Sequence, residues 1–437
     1  MVQRRLLAAP KKPTTICSTC RGLLGLCGRG SCPILARLRI ETAGRQRLTG
    51  KDIYGASPPS VFIGEAGYPR VFAGPMVPPV AQIDTSTYDN PAVWLDKTVE
   101  EILEYRISLV RSIVRIDALS IARAGRNLRA MQELAMSSTP VDTELRLTKP
   151  PVRRVTFSQW TPPMGPTAPL SEVKIVENPT VPRKVDRLVA DMDCPSTTAV
   201  VELFNSGIST YHLTRLLSSG LLGRGARRRL VPTRWSITAT DDILGRSLHK
   251  RILDKPWINE YRVFTDSAIG NNVAILLLPT SWMFEVLECW IQGTLFLAPG
   301  YQPEILSDCE FVRGRTTYAK TIAGAYYAAR LPVLQYLERE GRQSGAIVFL
   351  EVTPDWSVPL GVWRVREICG RALLQPSEKF SSFQEAVERC SMNLLTPIER
   401  WMKSSSIAAR HTAQRTLLSF DQSPPGFSDS PEQPSMP

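Results

Sequence analysis

The chain has 437 residues, of which 43% are hydrophobic, and 53 Lys and Arg against 41 Asp and Glu give it a formal net charge of +12. That length allows two or three packed domains, and the excess of cations fits an acidic partner such as nucleic acid. The most apolar stretch, 273–298, is interrupted by Pro279, Glu285, Glu288 and Gln292, which argues against a membrane span. The basic N-terminus lacks the apolar run of a secretory signal, so the expected location is the cytoplasm, in association with the nucleoid.

Residues 1–15 carry Arg4, Arg5, Lys11 and Lys12 and read as a flexible basic arm. Then Cys17, Cys20, Cys27 and Cys32 crowd together. Four thiolates suit a closed tetrahedral zinc site, which would staple the N-terminal segment and take no part in catalysis. Gly22, Gly25, Gly28 and Gly30 allow the tight turns such a site needs, and Arg21 and Arg29 offset its charge. An iron–sulfur cluster is the competing reading of the same ligands. The scattered Cys194, Cys289, Cys309, Cys369 and Cys390 read as small core hydrophobes.

Residues 46–95 are rich in Pro and Gly with short β-like runs such as Ser60–Ile63. Thr98 followed by Glu101 forms a capping box, and Leu103, Ile107, Val110 and Val114 share one helical face, predicting a helix from Asp96 toward Met136. Residues 138–185 are again Pro-rich, and the block Trp160–Pro166 reads as an ordered loop. From Pro195 to Gly223 the pattern is helix, turn at Gly207, and a second helix capped by Ser209. A third helix is expected over 242–253, with Asp241 and Asp242 at its start. Strands follow over 258–278, helices over 281–292 and 318–341, a strand at 345–352 and a last helix over 381–402. The irregular order predicts the α+β class: a zinc-stapled N-terminal segment on a mixed α/β core, with a disordered C-terminal tail. The expected divisions are 1–45, 46–290, 291–403 and 404–437.

The tail holds Gln414-Arg415-Thr416-Leu417-Leu418-Ser419-Phe420. This spacing resembles the peptide that docks on the PCNA sliding clamp. One short helical turn puts Leu417 and Phe420 on the same side, ready for one apolar pocket, with Leu418 beside them and Gln414 reaching a smaller pocket. Asp421 stands where the strong form of the motif has a second aromatic, so micromolar affinity is expected, about 8 kcal/mol.

Several blocks taken together resemble the archaeal Nre family: the cysteine cluster, Phe62-Ile63-Gly64 through Gly67-Tyr68-Pro69, Pro163-Met164-Gly165-Pro166, Val231 to Thr238, Gly324 to Arg330, and Pro359 to Glu367. The resemblance covers about 17–402 and the tail peptide. It implies an archaeal DNA-damage-response protein that binds the sliding clamp.

The residues themselves offer two functional readings. A clamp-tethered DNA repair accessory protein would contact DNA through basic and Arg/aromatic surfaces. The candidates are Arg224, Arg227, Arg228 and Arg229 as a phosphate-gripping run, and Arg234 and Trp235 with Tyr327, Arg330 and Arg366 as a nucleotide or nucleic-acid pocket. The alternative is a metal-dependent enzyme acting on nucleic acid or a nucleotide, recruited by the same peptide. Its carboxylates would come from the pairs Asp191/Asp193, Asp241/Asp242 and Asp308/Glu310, which could hold magnesium or manganese if they converged, with Arg234 beside them. His212 and His249 read as solvated helix residues and His411 as part of the tail, which leaves little for His catalysis. No Walker-type loop or strand-following Gly-x-Gly-x-x-Gly is present.

Overall fold

A computed structural model describes residue 20 and residues 50–80, 84–119, 121, 125–152, 155–297 and 302–413. Cys17, Cys27 and Cys32 and the tail peptide Gln414–Phe420 lie outside the described residues. The fold is mixed α+β, built on two sheets. The first has β1 Asp52–Ser57, β2 Val61–Ile63, β3 Arg70–Val77, β4 Val110–Asp117, β5 Val141–Leu147 and β6 Thr167–Ile175, in the order β1-β5-β6-β4-β3-β2. Only the β4–β6 pair among these is parallel. Alternation explains the strands: Val141, Thr143, Leu145 and Leu147 of β5 point inward while their neighbours reach toward solvent. Helices α1 Val99–Ile107 and α2 Arg126–Met136 flank β4, and α2 buries Leu128, Met131, Leu134 and Ala135 in the core.

Four helices follow: α3 Arg183–Ala190, α4 Ser196–Asn205, α5 Thr210–Ser218 and the long α6 Thr233–Ile252. The second sheet takes β7 Tyr261–Ala268, β8 Asn271–Leu278, β9 Met283–Trp290, β10 Ile305–Glu310, β11 Gly345–Val352 and β12 Glu378–Phe380, in the order β10-β9-β11-β8-β7-β12. It therefore uses strands from both sides of residue 290. The remaining helices are α7 Gly324–Glu340, α8 Trp363–Ala372, α9 Phe383–Ser391, α10 Ile398–Ser404 and α11 Ser406–Ala413. Both faces of this sheet are covered. Val273, Ile275, Leu277, Val348 and Leu350 join one cluster with α7 and α8. Their alternate neighbours Ala274, Leu276, Ile347 and Phe349 join another with Ala386, Trp401 and Ile407. Strands buried on both faces read as continuous apolar runs, as Val273–Leu278 of β8 and Ala346–Leu350 of β11 do, while β9 buries Glu285 and Glu288 among its apolar residues.

Local signals placed several elements correctly. Thr98 and Glu101 make the expected capping box. Gly207 takes φ +86° at the α4–α5 turn, and the Ser209 hydroxyl accepts the His212 N–H. The strand at 345–352 is β11.

Other expectations are corrected. The helix begun at Thr98 stops at Ile107, and Val110 and Val114 belong to β4, because a two-residue period overtakes the helical one there. Residues 283–290 form a strand instead of a helix; an eight-residue run buried on every side has no periodicity to distinguish the two. Helix α6 begins nine positions before Asp242, so Asp241 lies within the helix and does not cap it. Pro397 splits the last expected helix into α9 and α10. Residues 406–413, expected in the tail, form α11, with Ile407 and Ala408 buried. A buried carboxylate fixes that helix: Glu285 accepts the Ser405 hydroxyl at 2.5 Å and the N–H groups of Ser406 and Ile407 at 3.0 and 3.1 Å. Cys289, Cys369 and Cys390 are buried as expected, while Cys194 and Cys309 are only partly so. Among the described residues no helix is long and apolar enough to cross a membrane.

Candidate functional site

Trp160, in the Pro-rich segment between β5 and β6 of the first sheet, is where three helices begin to converge. Gly324, the first residue of α7, lies so close that a Cβ there would come 2.2 Å from the Trp160 ring. Val362, just ahead of α8, donates its N–H to the Trp160 carbonyl at 3.3 Å. Arg234, in the first turn of α6, places its guanidinium 4.4 Å from the ring centroid, a cation–π distance. The resulting recess has a volume of about 280 Å³. Its lining includes Gln159, Trp160, Arg234, Tyr318, the segment 319–325, Val362, Arg364 and the buried Cys20. Among the described residues, three cations (Arg234, Lys320, Arg364) and no carboxylate line it.

The walls are fixed from behind. Glu65 accepts from Arg234 at 2.9 Å and from the Trp235 indole at 3.1 Å, holding both side chains in place. Asp308 accepts the N–H groups of Thr321 and Ile322 at 2.9 and 2.7 Å, and Arg315 stands 3.4 Å from its other oxygen. The loop leading into α7 is thus tied to β10. Its last residue, Ala323, has φ +45°, a left-handed value that costs a non-glycine residue about 1–3 kcal/mol. Tyr318 stacks on Tyr327 at 5.3 Å and is half exposed; Tyr327 itself is buried, with its hydroxyl accepting the Ala319 N–H. Burial pushes both phenols above their usual range.

Not every expected residue reaches this recess. Arg330 is buried with its Nε 2.7 Å from Glu310, which also accepts the Trp282 indole N–H and the Arg315 backbone N–H. Asp308 and Glu310 are therefore occupied by protein donors. Arg366 pairs with Asp241 at 2.7 Å and lies over the Tyr211 ring, in a smaller recess of about 80 Å³ that shares Trp160 as a wall. Burial pushes the Asp241 carboxyl up, and Arg366 opposes that shift. Asp191 accepts the N–H groups of Asp193 and Cys194 in a turn, and Asp242 pairs with Arg246. The three carboxylate pairs do not meet, and among the described residues no group of three or more His, Cys, Asp or Glu could hold a metal ion.

The arginine run after α5 divides. Arg228 donates to the carbonyls of Gly223, Val189 and Asp191 and so holds the loop together. Arg224, Arg227 and Arg229 line a separate open groove with Pro195 and Leu222. Helix α5 buries six of its nine residues, leaving no face for a DNA groove. His212 and His249 are buried, contrary to the solvated reading; burial, then the nearby Arg215, lowers His212 to about 3, and burial with Arg330 lowers His249. His411 lies on α11, 2.9 Å from the Tyr261 hydroxyl.

A second feature leads outward from Arg234. Trp235 and Tyr68 are exposed and tilted together at 5.1 Å. Beyond them Arg115 lies over the exposed Phe72 ring at 5.8 Å, on the opposed positions of β3 and β4. Half-exposed rings interleaved with guanidinium groups thus run from the pocket mouth across the edge of the first sheet.

Residues 26–297 match the family profile described as archaeal Nre, N-terminal, and residues 310–420 the one described as archaeal Nre, C-terminal. The chain belongs to the archaeal Nre family. The DNA repair protein NreB of Archaeoglobus fulgidus is 36% identical over 404 residues, covering 92% of this chain and 99% of that protein. NreA of the same organism is also 36% identical, over 92% of this chain and 98% of its own length. NreA of Haloferax volcanii is 31% identical over 83% and 88%. No solved structure matches. Several Nre-like blocks of the sequence meet in space here: the starts of α6, α7 and α8 surround one recess together with Gln159 and Trp160. Trp160, Gln159, Tyr318 and Lys320 were not singled out in the sequence as binding residues. A tryptophan inside a proline-rich loop was the signal for the first, since such a ring must be held by something.

Proposed function

We propose that this Nre protein acts in DNA repair as an accessory factor, holding single-stranded or unstacked nucleic acid along the Arg234–Trp235–Tyr68–Arg115 surface while its tail peptide docks on the PCNA sliding clamp. The observation that carries the reading is that surface: aromatic faces and guanidinium groups alternate, half exposed, and end at a recess with three cations and no carboxylate. Bases stack on aromatic faces irrespective of sequence, and cations follow the phosphates. The relatives' names as DNA repair proteins support the repair context. The alternative enzymatic reading loses its supporting geometry, because Asp308 and Glu310 already serve protein donors.

Stacking is worth about 1–3 kcal/mol per base, so Tyr68→Ala with Trp235→Ala should weaken binding of a fluorescent single strand to the full chain at least roughly tenfold. Unchanged anisotropy curves, or no binding at low salt, would remove the proposal. The clamp half is tested separately. Calorimetry with a 408–423 peptide should give a micromolar isotherm that Leu417→Ala with Phe420→Ala abolishes. We propose further that Cys17, Cys20, Cys27 and Cys32 hold a structural zinc ion. Elemental analysis of the purified chain distinguishes zinc from iron, and finding neither would end that assignment.

A further inference from the structure

We propose that the recess at the start of α7 is a seat for a phosphate monoester carried by a nucleotide, either a free mononucleotide or the phosphorylated end of a strand. This deepens the reading above and rests on its premise that this face handles nucleic acid.

Three independent features agree on an anion. The first is charge: Arg234, Lys320 and Arg364 stand in the wall, and while Glu65 and Glu288 pair with the two arginines, Lys320 has no ion pair among the described residues. A monoester, unlike an internal phosphodiester, also offers three terminal acceptor oxygens to the donors of this wall.

The second is the backbone. Helix α7 has 17 residues, and its first two residues line the recess together with Ile322 and Ala323 just ahead of it. A helix start carries about half a positive charge; here Asp308 takes the Thr321 and Ile322 N–H groups and the Ile322 and Ala323 carbonyls take those of Ala325 and Tyr326, which leaves the N–H groups of Ala323 and Gly324 for a ligand. The third is an unspent side-chain donor. Gln159 lines the recess, is only 9% exposed, and its Nε2 has no hydrogen-bond partner among the described residues. The Nε1 of Trp160 is likewise buried without a partner among the described residues. Buried donors are nearly always satisfied in folded proteins, and an acceptor-only ligand such as phosphate is the chemistry that completes these two.

The seat is also organised before any ligand arrives. Asp308 pins the 321–322 backbone, and Glu65 holds Arg234 against the ring of Trp160. A volume of about 280 Å³ lies near the lower end of the usual range for small-ligand sites, too small for duplex DNA. Tyr318, stacked on Tyr327 and half exposed, offers an aromatic neighbour for the attached sugar or base.

The test titrates the full chain by calorimetry with deoxyadenosine monophosphate, deoxyadenosine and inorganic phosphate. In parallel, anisotropy compares one labelled single strand with a 5′-phosphate, a 3′-phosphate or hydroxyl ends. Lys320→Gln and Gln159→Leu are the variants. Gln159→Leu removes a donor that has no partner, so its melting temperature should not fall, which separates loss of binding from loss of fold. The expected result is tight binding only where a terminal phosphate is present, weakened about tenfold by each variant. If the free nucleotide alone shows the preference, the ligand is a mononucleotide; if the phosphorylated end shows it, the ligand is a strand terminus.

Phosphorylated and hydroxyl forms binding alike would overturn the seat while leaving strand binding intact. Phosphate-dependent nucleotide binding with no strand binding at all would support the seat and remove the nucleic-acid reading. Full affinity in both variants would overturn the assignment to this recess.

Discussion

Replacing Glu310 by Ala tests whether its carboxylate is a structural acceptor or a ligand in waiting. The side chain is buried on β10 and takes three donors: the Trp282 indole at 2.8 Å, the Arg330 Nε at 2.7 Å and the Arg315 N–H at 3.2 Å. Arg330 is 3% exposed, and its guanidinium lies so near α6 that a Cβ on Gly245 would meet it at 2.5 Å. Without Glu310 that charge stays buried and unpaired, which costs about 3–5 kcal/mol. The orphaned indole N–H adds about 1–3 kcal/mol. The two losses share atoms and do not sum fully, so about 4–6 kcal/mol is expected. Against a typical total of about 5–15 kcal/mol, most of the stability would go. Tryptophan fluorescence in urea should show the midpoint falling by about 1–2 M, taking a slope of about 3 kcal/mol per M. Glu310→Ala combined with Arg330→Met should recover much of the loss, since an apolar pair replaces the ionic one. A midpoint that is unmoved or raised by Glu310→Ala would refute the reasoning, and a rise is what a carboxylate reserved for metal would give.

His212, lowered to about 3 by burial and Arg215, gives a signed pH effect. The unfolded chain takes up that proton near 6.5 and the folded chain only near 3, so the stabilisation is whole above pH 6.5 and declines as pH falls through this window. His212→Gln should remove about 2 kcal/mol of the stability difference between pH 7 and pH 5, measured by urea midpoints at both values; identical pH slopes in the two proteins would count against it. Gly324→Ala drives a methyl group into the Trp160 ring, and overpacking of this kind costs about 1–3 kcal/mol. Its melting temperature should drop and its nucleotide affinity with it, whereas retention of both would mean that the ring is not fixed there.

The α+β class followed from irregular element order, and the caps at Thr98 and Ser209 and the turn at Gly207 could be read locally because each depends on neighbours within a few residues. Strand β9 could not, since its eight residues are buried on both faces and burial erases the pattern that distinguishes helix from strand. Asp241 looked like a cap because sequence gives no sight of Arg366, 125 positions away, which is its actual partner. The same distance problem governs the site. Arg234 was found because it stands beside Trp235, but the ring it covers is Trp160, and nothing in the spacing of 160, 234, 318 and 324 announces that they meet. Residues 404–413 looked like tail because they are short and polar; the carboxylate that anchors them lies on β9.

That anchoring has a mechanical consequence. Within the described residues helix α11 runs to Ala413, and the proposed clamp motif begins at the next position in the sequence. Docking of that proposed motif would take hold one position beyond a helix that Glu285 ties to the second sheet. Inserting a few glycines after Ala413 should then keep the proposed docking while lengthening the tether between peptide and body.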